Sequence, residues 1–66
     1  MELTKTQKLL LNGLQLFGVE RGAIIGIMVA LQEEDEMYEL MYFMADTPEA
    51  TQEDILYKTA QTMPKN

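Results

Sequence analysis

From Gly22 to Leu31 the chain reads Gly-Ala-Ile-Ile-Gly-Ile-Met-Val-Ala-Leu, ten residues without one polar side chain, and Glu33-Glu34-Asp35-Glu36 follows almost at once. A helix that is apolar all round, in a chain of 66 residues, must be the central element of the core or an interface. Gly18, Gly22, Gly26 and Ala30 recur every fourth position, a ridge along which another backbone could come close. If that ridge meets a second helix, Gly26→Leu overpacks it and costs on the order of 1–3 kcal/mol. The run is too short to span a bilayer, which takes about 20 apolar residues.

Sixty-six residues make one domain, near the size at which a single core only just suffices. With no cysteine, neither a disulfide nor a thiolate metal site can help. An apolar fraction of 47% belongs to a folded rather than a disordered chain. The N-terminus lacks a basic flank leading into an apolar stretch and a small-residue cleavage site. The expectation is a cytoplasmic protein with no membrane partner.

The net charge of −6 is unevenly placed. Residues 1–21 sum to +1, whereas residues 22–57 hold nine acids and neither Lys nor Arg. A stretch of that kind repels phosphate backbones, which argues against nucleic acid as a partner. Its simplest role is a solvated acidic face that keeps a small, Met-rich protein in solution.

The chain has helical period nearly throughout and predicts an all-α bundle of four short helices. The first covers about 5–17: Thr4 and Gln7 fit a capping box, Leu10, Leu14 and Phe17 share a face, and Leu9 and Leu16 widen it. Gly18 stands where that helix should stop, since glycine takes the left-handed conformation without a Cβ clash. The second covers about 20–32 and buries Ile24, Ile27, Met28 and Leu31 as the central helix of the core. The apolar stripe of Met37, Leu40, Met41 and Met44 is out of phase with it by roughly 140°. One straight helix over 20–45 would therefore show two opposed apolar faces. A break at Glu33–Asp35, with Asp35 as N-cap, lets both faces meet one core. The third helix then covers about 36–45 and ends before Thr47-Pro48. The fourth, about 52–62, starts at a Thr51/Asp54 capping box, buries Ile55, Leu56 and Ala60 with Met63 as a further candidate, and stops at Pro64.

Catalysis has almost no material here. His, Cys and Ser are all absent, which removes the commonest bases and nucleophiles together. The Glu33-Glu34-Asp35-Glu36 run could attract a divalent cation, but four consecutive residues do not converge on one point. A helix N-terminus enriched in acids explains the run more simply. The chain is therefore expected to be no enzyme and to hold no cofactor or metal. Tyr38 and Tyr42, four apart on the third helix, lie beside its Met/Leu stripe and, with Glu39, could form a partner-facing strip. The simpler alternative is partial burial under the first or fourth helix. Met37, Met41 and Met44 read as adaptable core.

Two resemblances follow from particular residues. Phe17-Gly18-Val19 after the first helix, Ala23 four positions on, then Gly26-Ile27 and Leu40-Met41, resemble a ubiquitin-associated (UBA-like) three-helix domain over residues 14–44. Phe17 and Val19 stand where that family has its characteristic Met and Phe, and the fourth helix is extra. The resemblance implies a docking loop at Phe17, Gly18 and Val19. Thr51-Gln52-Glu53-Asp54-Ile55-Leu56 after an acidic, Met-rich helix also looks like short uncharacterised proteins of Gram-positive bacteria and their mobile elements. That likeness implies a bacterial or phage origin and no particular activity.

The reading is of a non-catalytic protein-interaction module able to form a homodimer, with Phe17, Gly18, Val19, Tyr38, Glu39 and Tyr42 as its candidate partner surface. Two alternatives compete with it. A helix-turn-helix regulator would need cations on its recognition helix, where this chain offers Glu36 and Glu39. An acidic DNA mimic would occupy a cationic groove on another protein, on charge alone.

Overall fold

In a computed structural model, which describes residues 2–63, the chain folds into four helices: α1 (Lys5–Leu16), α2 (Arg21–Ala30), α3 (Glu34–Asp46) and α4 (Gln52–Thr62). No strand forms among the described residues. Pro64, expected to stop α4, lies outside them.

Local chemistry accounts for most of the boundaries. The Thr4 hydroxyl accepts from the Gln7 N–H (3.1 Å) and the Gln7 amide oxygen accepts from the Thr4 N–H (2.7 Å). Thr51 and Asp54 repeat the exchange at the start of α4, at 3.2 and 3.0 Å. These reciprocal bonds satisfy donors that the first helical turn cannot. At the end of α1, Gly18 takes φ +75°, its N–H donates to the Gln15 carbonyl, and the Val19 N–H donates to the Leu14 carbonyl. That pair of bonds is a Schellman stop, which requires the left-handed residue at Gly18. Gly18→Ala should therefore cost about 1 kcal/mol by forcing a Cβ into that conformation, read as a lower melting temperature.

The break between α2 and α3 falls where the phase argument puts it, but its chemistry differs from the expectation. Glu33, not Asp35, is the N-cap of α3, and the Glu36 carboxylate accepts from the Glu33 N–H at 3.2 Å. The helix consequently begins at Glu34 and places Glu34, Asp35 and Glu36 in its first turn, where the dipole favours them. Leu31 ends α2 in extended geometry (φ −103°, ψ 93°) with its side chain fully buried.

The helices close a ring in which α1 packs on α3, α3 on α4, α4 on α2 and α2 on α1, whereas the backbones of α2 and α3 stay apart. Thr6 of α1 donates to the Glu34 carboxylate at the start of α3 (2.9 Å), and Gly13 lies against the Met44 methyl further along, so α1 and α3 run the same way. The Glu20 N–H at the start of α2 donates to Gln52 at the start of α4 (2.7 Å), which sets those two side by side. The core within the ring holds Leu10, Leu14, Val19, Ile24, Ile27, Leu31, Met37, Leu40, Met44, Ala50 and Ile55.

Several side chains depart from the expected pattern. Leu9 and Leu16 point outward, and Thr6 shares the buried face of α1 with Leu10 and Leu14. At α4, Leu56, Ala60 and the following Met63 are exposed, and Thr59 is buried in their place. Thr59 can enter the core because its hydroxyl donates to the Ile55 carbonyl (2.8 Å), leaving only its methyl to pack. The largest correction concerns α2, which forms one wall of the bundle instead of an enclosed centre. Its inner face buries Ile24 and Ile27, and its outer face leaves Ile25 and Val29 exposed. Gly22 and Gly26 are exposed as well, and a Cβ at either would meet nothing within 4 Å. The small-residue ridge does not face a neighbouring helix, so overpacking by Gly26→Leu does not arise within the domain.

Candidate interaction surface

The six residues singled out from sequence separate into two places. Phe17, Gly18 and Val19 form the stop of α1 and the entry to α2. In a Schellman stop the second residue past the cap turns back to pack against the helix, and Val19 accordingly lies in the core with Leu14. Phe17 is half-buried against the same core. Only Gly18, which has no side chain, is fully on the surface. The segment offers a partner part of one aromatic ring and a backbone turn.

Tyr38, Glu39 and Tyr42 stay together on the outer flank of α3. The buried stripe Met37, Leu40, Met44 occupies the opposite side, and helical spacing turns the tyrosines out. Tyr42 is 67% exposed and stands clear of the bundle, whereas Tyr38, at 39%, is partly covered. Their rings stack with centroids 6.2 Å apart and planes 25° from parallel. Asp35, one turn before Glu39, completes the shallow depression that they line. Four residues on adjacent turns thus present two flat apolar faces, two phenol hydroxyls and two carboxylates. Such a set can grip an apolar or cationic side chain and take hydrogen bonds at its rim.

The acidic run does not make a cage. Glu33 and Glu36 are engaged with the start of α3, Glu34 accepts from Thr6, and Asp35 lines the depression beside the tyrosines. Among the described residues no three acids converge as a metal ion would require.

A second exposed surface lies on α2, whose all-round apolar sequence leaves open either a central place in the core or an interface. The outer side of α2 carries Ile25 and Val29 at 58% and 64% exposure beside the open glycines. A groove between α2 and α1, lined by Leu3, Leu11, Ile24, Ile25, Met28 and Val29, extends that apolar area. The stripe of Ile24, Ile27 and Leu31 marks the inner side, and Ile25 and Val29 lie on what that stripe leaves over.

No described helix is long and apolar enough to cross a membrane. Neither a known protein family, nor a curated protein, nor a solved structure matches this chain.

Proposed function

We propose that this chain is a non-catalytic protein-interaction module, with Tyr38, Glu39 and Tyr42 as the surface for a protein partner and with a second copy of the chain as a further one. The observation that carries the reading is the exposed, stacked tyrosine pair on a regular helix. Two rings already ordered against each other give a partner flat apolar area at little further entropic cost. The lack of His, Cys and Ser supports the non-catalytic part.

The rival readings fare less well on physical grounds. A helix-turn-helix unit needs a recognition helix that presents cations; α3 opens with Glu34, Asp35 and Glu36 and α4 with Glu53 and Asp54, where phosphates would come. Binding to duplex DNA is expected to be undetectable at physiological ionic strength, because residues 22–57 supply no cation. An acidic mimic would lose its partner steeply as salt rises, more so after Glu33, Glu34, Asp35 and Glu36 become Gln or Asn.

Affinity capture from the native host, run in parallel with wild type and a Tyr38→Ala/Tyr42→Ala variant, tests the surface. A protein retained by the wild type through moderate salt and lost from the equally helical variant supports it. Identical retention by both, or salt-sensitive retention of a DNA fragment, overturns it.

A further inference from the structure

We infer that the strip of Asp35, Tyr38, Glu39 and Tyr42 takes arginine side chains from a basic segment of its protein partner. The inference rests on the reading of this strip as the partner surface and names the chemistry of the occupant. On α3 each tyrosine stands three positions after a carboxylate, Tyr38 after Asp35 and Tyr42 after Glu39. Side chains three and four apart on a helix are neighbours, so each ring has an acid beside it. The second acid–ring pair repeats the first about 6 Å further along the axis. All four residues line one depression.

Rings and carboxylates together select the occupant. An anion is repelled by both acids. A purely apolar side chain would cover Asp35 and Glu39 without giving either a hydrogen bond, and so lose what it gains on the rings. A metal ion needs more oxygen ligands than two carboxylates supply. An organic cation meets both features at once, attracted by the ring faces and bonded to the acids beside them. Nothing within the domain already fills that place. α1 and α4 pack on α3 and carry Lys5, Lys8 and Lys58. Among the described residues none of these hydrogen-bonds to Asp35 or Glu39 or lies over either ring.

Acidity alone would not single out α3, because α4 carries Glu53, Asp54 and an exposed Tyr57. There, however, the Asp54 carboxylate is held by the Thr51 N–H (3.0 Å), and among the described residues no second ring stacks on Tyr57. Arginine suits the α3 strip better than lysine does. Its guanidinium is planar and weakly hydrated, so it can lie flat on a ring while its N–H groups reach a carboxylate. Two arginines four apart on a helix match the spacing of the two pairs.

The experiment is an NMR titration of ¹⁵N-labelled protein with three helical, alanine-based peptides. They differ only at two positions four apart, which carry arginine, lysine or neutral citrulline. The arginine peptide should shift the amides of residues 35–42 first and bind at least about threefold more tightly than the lysine peptide of equal charge. The citrulline peptide should not bind at the same concentrations. Tyr38→Leu/Tyr42→Leu, which keeps apolar bulk, and Asp35→Asn/Glu39→Gln should each weaken the arginine peptide by about fivefold or more. Glu49→Gln/Glu53→Gln and Tyr57→Leu should each change it by less than about twofold at physiological salt. Equal affinity for arginine and lysine, shifts on α4 as large as those on α3, or no binding at all overturns the arginine assignment. That comparison needs only the wild-type protein. The partner surface itself then still stands if the captured protein is lost from Tyr38→Ala/Tyr42→Ala, and falls if it is retained.

Discussion

Leu40→Ala is expected to leave this chain unfolded or melting near room temperature. Leu40 is fully buried in α3, the helix that packs on both α1 and α4. Removing a buried leucine costs about 2–5 kcal/mol, the transfer of its methyls plus the cavity they leave. A single core in so short a chain rarely supplies more than about 3–5 kcal/mol in all, and no disulfide adds to it. The measurement is a urea titration followed by far-UV circular dichroism, with Leu16→Ala as the matched control. Leu16 is the same residue type on the same bundle but 86% exposed, so its truncation should change stability by less than about 0.5 kcal/mol. A variant at position 40 as stable as that control would mean that α3 is not the helix joining the two sides of the core.

The contrast between Leu40 and Leu16 also marks how far the fold can be read from residues alone. Three helix boundaries were legible because each is decided within four residues: Thr4 with Gln7, Thr51 with Asp54, and Gly18 in its left-handed turn. Burial depends on angle as well as type. Leu9 and Leu16 are as apolar as Leu10 and Leu14, yet face away from the core, and Thr6 and Thr59 face into it with their hydroxyls bonded. Hydrophobicity ranked these residues in the wrong order because a threonine that satisfies its own hydroxyl packs like a small aliphatic group. Whether the outer side of α2 is covered within the domain was not legible, for a different reason. It follows from the ring order, in which the backbone of α2 approaches α1 and α4 but not α3, and ring order is set by contacts between residues far apart in the chain. The candidate surface divides in the same way. The tyrosine strip was visible as i, i+4 spacing on one helix, whereas the inward turn of Val19 is a property of the Schellman stop.

That local and distant causes meet at one residue makes Leu31→Asp the sharper test of the architecture. Nothing between Gln32 and Glu36 breaks a helix by itself, since the segment has neither glycine nor proline. Leu31 leaves the helix in extended geometry and is fully buried, which turns the chain so that the inner faces of α2 and α3 serve one core. The burial of Leu31 is therefore what stabilises the break, against the intrinsic preference of these residues to continue as helix. An aspartate there loses that burial and brings a carboxylate into a site with no cation nearby in sequence. The cost should exceed that of Leu31→Ala, itself about 2–5 kcal/mol, and no cooperative thermal transition should remain. Gln32→Asp, one residue on and exposed, should melt like the wild type. If Leu31→Asp instead keeps a sharp transition with undiminished far-UV signal, α2 and α3 would be separated by the Glu33 cap alone. The core would then not depend on the turn at Leu31.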